Sequence, residues 1–417
     1  MSQMKYYICV TPFFPAPNNW RGAYVLDQVK AIARNSDYKV VVFATHPLNE
    51  KMEDYVRDGI QVYSIRPLLM PSFILNGMTE GIVGRLFVRK LRQVGIALKD
   101  VAFVHCHTAS HAAFGFGVRK VNPDAKVLIQ FHDLDPYTLR NGKWAEKRWN
   151  VRYRAKKSLS AFERADLLIS ISTPVQDNLL AFPKARPQEI YPSYLERLEL
   201  LKDFPCLKSR KMYILYNGVD TSLFYPKKEP QRDTFRIGCI ANFGDLKDHI
   251  TLIKAFELFV KANTNPSTGS GGTGTNHTNI KLSLLGTGET RAICEAYIKE
   301  HGLEQYVEWP KEVAHDKLPE YYRSLDLFVL PSVYEGFGCV YTEAYACGVP
   351  FMGVYDQGAA EVIAPEERDK WLIRPHDYEQ LARLIGAFYA QRYEQKLCEE
   401  IDINVLIKKY LHHIRTI

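Results

Sequence analysis

Along the whole chain, short apolar runs rich in Val, Ile and Phe alternate with amphipathic stretches of helical length, and this alternation constrains the fold more than any other feature. A strand buried on both faces reads as a continuous apolar run, and parallel strands with helical crossovers are the strands buried in that way. In the first half such runs fall at residues 5–11, 38–45, 61–65, 101–106, 126–131 and 166–172, with helices expected to begin near Gly22, Thr79, Ser110, Trp144 and Thr173. In the second half they fall at 235–241, 281–285, 307–309, 326–330 and 350–354. The pattern predicts an α/β chain of two doubly wound Rossmann-like units, each binding ligands at the carboxyl ends of its strands. Length agrees, since 417 residues exceed the size at which one core keeps growing. The expected divisions are 1–207, 208–395, which the apolar run at 213–216 is expected to open, and a C-terminal helix at 396–417 crossing back to the first domain. Residues 185–207, with Tyr194, Leu195, Leu198 and Leu201 at helical spacing, read as an added helix. Residues 263–279, rich in Thr, Gly, Ser and Asn, read as a surface loop.

With 46% hydrophobic and 24% charged residues, the chain has a globular composition, which excludes wholesale disorder. The eight cysteines include no C-x-x-C pair, and several lie in apolar runs, as reduced core thiols of a cytoplasmic protein would. No run of 18 apolar residues is present to span a membrane. The net charge of +7 is uneven: residues 1–210 hold 31 Lys and Arg against 19 Asp and Glu, whereas the remainder holds 23 against 28. A basic first half implies an anionic partner, a membrane surface or a phosphate-bearing acceptor. Nucleic acid is ranked low, because no nucleic-acid motif accompanies the charge.

The most informative local stretch is a buried strand at 326–332, a Gly-containing turn at 333–338 and a helix from Cys339 stopped by Gly348-Val349-Pro350. A strand, Gly turn and helix in succession aim backbone N–H groups and a helix dipole at one spot, where a diphosphate binds well. Glu335 and Glu343, eight positions apart, are about two helical turns apart and can face one cleft.

The run from Glu335 to Pro350, E-G-F-G-C-V-Y-T-E-A-Y-A-C-G-V-P, resembles the two-glutamate motif of the retaining GT-B glycosyltransferases of family 4, or group 1. Residues 216–226 (Y-N-G-V-D-T-S-L-F-Y-P), 284–289 (L-L-G-T-G-E) and 357–363 (Q-G-A-A-E-V-I) are similar to further segments of that family, in the same order. The resemblance is strong from about 213 to 365 and looser before it. It implies two doubly wound domains facing across a cleft, a nucleotide diphosphate sugar as donor, a glycan or lipid-linked acceptor, and neither metal nor cofactor. Glu335 would meet the hydroxyls of the transferred sugar and Glu343 the ribose, while the amides of Gly338, Cys339 and Val340 hold the distal phosphate. Lys247 lies in a segment similar to the family's basic diphosphate loop. Where an Arg is usual five positions earlier, this chain has Asn242, and Arg21 is a candidate substitute. Gly286 and Gly288 fall in the next donor loop, and Arg21-Gly22 in the Gly-rich turn after the first strand. His132 and Asp135 lie in a segment resembling the family's His-containing loop, with Glu361 also on the sugar or acceptor side.

Several residues admit a second reading. Gly286 and Gly288 would serve equally in a tight turn. His105-Cys106-His107 with His111 invites a metal, but strand neighbours point to opposite faces and no carboxylate follows at ligand spacing. The basic aromatic stretch 140–164 and residues 84–92 suit either an anionic membrane surface or a solvated helix face. At the level of function, a nucleotide-sugar 2-epimerase of the same fold and a non-catalytic partner subunit are the alternatives.

Overall fold

The computed structural model describes residues 4–17, 22–47, 49–50, 52–67, 77–132, 139–140, 143–144, 149–179, 207, 212–227, 233–264 and 279–417. The added helix expected at 185–207 and most of the loop expected at 263–279 lie outside the described residues. The chain separates into two compact units, residues 1–217 with 403–417, and residues 218–402.

The first unit is built on β1 (Tyr6–Thr11), β2 (Lys39–Thr45), β3 (Tyr55–Arg57), β4 (Ile60–Ile65), β5 (Val101–Cys106), β6 (Lys126–Phe131), a short antiparallel pair β7 (Leu139–Arg140) and β8 (Lys143–Trp144), β9 (Leu167–Ser170) and β10 (Met212–Ile214). All but β7 and β8 form one eight-stranded sheet in the order β10-β9-β6-β5-β1-β2-β4-β3, parallel except at the β3–β4 edge. Strand alternation divides β1 between two cores. Tyr7 and Cys9 pack with the helices Ala23–Arg34 and Ile403–Ile414, while Ile8 and Val10 face the helices Glu80–Gln93 and Ala112–Arg119. The C-terminal helix turns Ile403, Leu406, Ile407, Tyr410, Leu411 and Ile414 into the first of these cores, the spacing of one apolar stripe.

The second unit carries β11 (Thr234–Ile240), β12 (Asn279–Leu285), β13 (Val307–Glu308), β14 (Leu327–Val329), β15 (Phe351–Val354) and β16 (Leu372–Ile373), all parallel, in the order β13-β12-β11-β14-β15-β16. That is the doubly wound order with the chain reversing direction between β11 and β14. In the first unit the corresponding reversal falls between β1 and β5.

Two expectations need correction. The apolar run at 213–216 does not open the second unit: β10 pairs in parallel with β9, so the division falls after residue 217 and not after 207. An apolar run signals a strand but not the sheet it joins. The helix expected near Trp144 begins at Trp149, since residues 143–144 pair with 139–140 as β8. Among the described cysteines, seven are free and most are buried; burial pushes the Cys106 and Cys239 thiols up to about 12.

Candidate functional site

In the second unit the loops after β11 and β14, flanking the point where the sheet reverses, are tied together by backbone. Val333 N–H donates to Leu246 O at 2.8 Å. This bond brings the turn Asp245–Lys247 against the Gly turn that follows β14, and Lys247 Nζ donates to Glu335 Oε2 in a short ion pair. Both side chains are largely enclosed, at 22% and 17% exposed, so each charge relies on the other more than a surface pair would. Ser332 Oγ also donates to Glu335 Oε2, at 3.3 Å.

The Gly turn is braced from the loop after β15. Gln357, 3% exposed, accepts from Glu335 N–H at 2.8 Å and donates its own amide to Val333 O at 3.0 Å. Beyond the turn, Gly338 has φ +81, and a Cβ there would come within 2.6 Å of the Tyr341 ring and 2.8 Å of Glu335 Cγ, so the position demands glycine. It starts the helix Cys339–Ala346, whose first turn has neither a side-chain cap nor an acid. Cys339 and Val340 therefore stand at an N-terminus that favours an anion.

Glu343 lies further along the same helix, 9% exposed, and accepts from Tyr322 O–H at 2.8 Å, with His315 Nε2 at 3.8 Å. Burial, then the adjacent Glu343 charge, raises the Tyr322 phenol well above its ordinary value. Tyr322 therefore stays protonated and donates. Glu361 lies on the short turn Gly358–Val362, where Gly358 N–H donates to Glu335 O at 3.3 Å.

Gly286 and Gly288 have a structural explanation. A Cβ at Gly286 would fall 1.9 Å from Ala241 O, and one at Gly288 would fall 2.2 Å from Phe243 O, so both allow their loop to lie against the chain leaving β11. Asn242 is exposed in that chain, and its carbonyl accepts from Gly244 N–H at 3.0 Å.

In the first unit, Gly22 (φ +87) caps the helix Ala23–Arg34. Tyr24, one residue into that helix, places its ring 5.2 Å from the ring of His132, which follows β6. His132 Nε2 lies 2.9 Å from His107 Nδ1. Burial holds His132 down to about 3. Arg21 and Asp135 lie outside the described residues. His105 and His107, two apart, fall on one face and stack at 4.5 Å; the alternation that separates Cys106 from them does not separate them from each other. Among the described residues, no group of three His, Cys, Asp or Glu side chains is placed to hold a metal ion. Sequence reasoning did not single out Tyr322, 21 residues from the Glu343 carboxylate it meets, and had Gln357 only within the 357–363 segment, not as the partner of the Glu335 backbone N–H 22 residues away.

Comparison with known proteins agrees with this architecture. The chain is 22% identical to an uncharacterized glycosyltransferase of Methanocaldococcus jannaschii over 76% of its length and 72% of the relative's. It is 25% identical to the mannosylfructose-phosphate synthase of Agrobacterium fabrum over 52% of its length, spanning under half (44%) of that protein. The fold matches that of the Anabaena protein HepE, solved with UDP and glucose, at a TM-score of 0.61 with 16% identity over 100% of both chains. Residues 22–194 match Glycosyltransferase Family 4, residues 223–405 match Glycosyl transferases group 1, and the chain belongs to this family of GT-B glycosyltransferases.

Proposed function

We propose that this chain transfers a hexose-type sugar from a nucleotide diphosphate sugar to a glycan or lipid-linked acceptor, with retention of anomeric configuration and without a metal. The observation that carries the proposal is the meeting of Lys247 and Glu335 beside the N-terminus of the helix Cys339–Ala346, where the second sheet reverses. In this reading a donor replaces one internal ion pair with two contacts: Lys247 turns to a phosphate oxygen and Glu335 to a sugar hydroxyl. The helix-start amides at Gly338, Cys339 and Val340 take the distal phosphate, and Glu343, oriented by Tyr322, takes the ribose. Glu361 and Asp135 are assigned to the sugar or acceptor side. The leaving phosphate accepts the proton of the incoming hydroxyl on the face it departs from, so the protein supplies position and electrostatics and no nucleophile. Lys247 offsets the charge that grows on the leaving oxygen. Asn242 supplies no second cation, and Arg21 is the sequence's candidate for it; Arg21→Ala should then abolish transfer with thermal unfolding unchanged, and an active variant would remove Arg21 from the site.

Support for a nucleotide-sugar donor comes from relatives named as mannosyltransferases and from the HepE complex with UDP and glucose. The proposed setting is surface glycan assembly on the cytoplasmic side, with the basic first unit against an anionic membrane. No helix among the described residues is long and apolar enough to cross a membrane. On the helix Glu80–Gln93 the exposed positions include Ile82, Leu86, Arg85, Arg89 and Arg92, a mixed apolar and cationic face suited to that contact. Sedimentation equal with neutral and anionic vesicles would remove the membrane from the proposal.

A thermal-shift screen of nucleotides and nucleotide sugars, followed by NMR of the product anomer with the best donor, tests the reaction. Retained configuration in an acceptor-dependent product supports it. Product formed from donor alone would identify a 2-epimerase, and donor binding without turnover a non-catalytic partner; either overturns the proposal.

A further inference from the structure

Among the described residues, four other than glycine have a positive φ, and two of the four, Asp248 (φ +49) and His376 (φ +64), bond to each other across 128 positions. Left-handed backbone is costly for a residue with a Cβ and persists where the surroundings fix it. Asp248 follows Lys247 directly and turns the chain from Asp245–Lys247 into the helix His249–Thr264. His376 follows β16 and precedes the helix Tyr378–Ala390, whose first turn is capped by Asp377 accepting from Gln380 N–H at 2.8 Å. Two left-handed corners, each at the start of a helix, therefore meet beside Lys247.

The Asp248 side chain is 5% exposed, and its Oδ2 accepts from Thr251 Oγ1 at 2.7 Å and from His376 Nδ1 at 2.8 Å. Thr251 belongs to the helix that Asp248 begins, so that bond alone would serve a helix start. The bond from His376 adds a tie to a different loop, and it comes with a second left-handed residue that a helix start does not require. What the tie fixes is the corner after Lys247. On its other side the turn is held by Lys247 N–H donating to Gly244 O at 2.9 Å and by Leu246 O accepting from Val333 N–H at 2.8 Å. Asp248 is the joint between that turn and the helix. Lys247 carries its ammonium on a flexible four-carbon stem, so the place of Nζ opposite Glu335 depends on the backbone beneath it.

We propose that Asp248 is a positioning residue for Lys247, with His376 as the brace that holds Asp248 in its left-handed corner. This rests on the reading that Lys247 meets a phosphate of the donor, and it deepens that reading by naming two residues that aim the ammonium through the backbone.

Glycine accepts a left-handed φ, so Asp248→Gly and His376→Gly remove the side chains without opposing the backbone. Initial rates of sugar transfer are read with the donor that gives the largest thermal shift. Asp248→Gly should lower kcat on the order of tenfold to a hundredfold, as misplacement of a working group does, with a smaller change in KM for the donor. His376→Gly, which removes a side chain 67% exposed, should act in the same direction by less. Asp248→Asn tolerates the left-handed region and keeps a carbonyl for both donors, and should restore most of the rate. In the Lys247→Ala background Asp248→Gly should cause no further loss, because no ammonium is left to aim. Hydrogen exchange at Lys247 N–H should quicken in Asp248→Gly while β11 and β12 stay protected. An unchanged kcat in Asp248→Gly, losses that simply add in the double variant, or an Asp248→Asn as slow as Asp248→Gly would each overturn the proposal. If Asp248→Gly does not fold, the same cycle with His376→Gly decides: an unchanged kcat, or a fall that persists without Lys247, sinks it. A fully active Lys247→Ala, by contrast, would remove the underlying reading of Lys247, whatever the exchange at the corner.

Discussion

In the second unit the candidate groups are charged, and each meets a partner within its own unit: Lys247 with Glu335, and Glu343 with Tyr322. In the first unit they are uncharged rings stacked in a row, with Nε2 of His105 and of His107 and Nδ1 of His132 left without hydrogen-bond partners among the described residues. The difference follows from desolvation. An enclosed carboxylate or ammonium is tolerable only with an opposing charge or a good donor, whereas an imidazole escapes the cost by staying neutral. Single-charge deletions should therefore act on the second unit, and protons on the first.

Acidification should give the largest effect. His105 and His132 are held to about 3 and His111 to about 4, all by burial first, with His107 well below its ordinary value. A histidine whose folded pKa lies below the unfolded value of about 6.5 binds protons less readily folded than unfolded. Its stabilisation is present above about pH 6.5 and is lost as pH falls from there toward the folded values. Between pH 7.5 and 5.5 each ring should cost on the order of 1–2 kcal/mol, and four such rings lie in the first unit against His249, held to about 4, in the second. Hydrogen exchange should show protection of β5 and β6 falling more than that of β11 and β12 over this range. Equal losses in the two units would break the contrast.

Next comes Lys247→Ala. In the proposed reaction, losing the ammonium that offsets charge on the leaving phosphate should cost about 2.7–4 kcal/mol, roughly 10²–10³ in rate, and should leave Glu335 without its strongest partner. Initial rates of sugar transfer test this. A rate within a few-fold of the unmodified protein would mean that the charge on the leaving group is met elsewhere, and the second unit would lose its claim to the electrostatics.

How much of this was legible in the sequence depended on the range of the contacts. The turn from Glu335 to Gly338 and the helix carrying Glu343 are contiguous, so residue types and spacing placed them, and the strand runs at 101–106 and 126–131 coincide with β5 and β6. What local pattern could not supply was sheet order. Tyr7 meets His105 across 98 positions and Tyr410 across 403, because β1 lies beside β5 and the C-terminal helix packs over it. For the same reason Tyr213 and Ile214 read as a strand but were given to the wrong sheet, and nothing local marked Tyr322 as the partner of the Glu343 carboxylate or Gln357 as the partner of the Glu335 backbone N–H. His107 was visible only as a metal candidate, since an apolar strand ending in histidines does not tell which ring faces which.

Tyr322→Phe should act more gently than loss of Lys247. It leaves Glu343 enclosed without its 2.8 Å donor, a cost of about 1–3 kcal/mol, expected in thermal unfolding and as weaker nucleoside diphosphate binding, with little change in kcat. A variant with unaltered nucleotide affinity would detach Glu343 from the ribose.

The smallest effect should come from Ser332→Ala. Ser332 is fully buried and its hydroxyl reaches Glu335 at 3.3 Å, near the limit for an O–H donor and well beyond the usual distance to a carboxylate. Lys247 already meets the same oxygen. Removing the hydroxyl should therefore change stability and transfer rate by no more than about 0.5 kcal/mol, measured by chemical denaturation and initial rates. A loss several times larger would mean that Glu335 depends on a neutral donor as much as on the ammonium. Its environment would then be closer to that of the uncharged rings in the first unit, and the division between a charged site and a neutral one would narrow to Glu343 and the helix N-terminus.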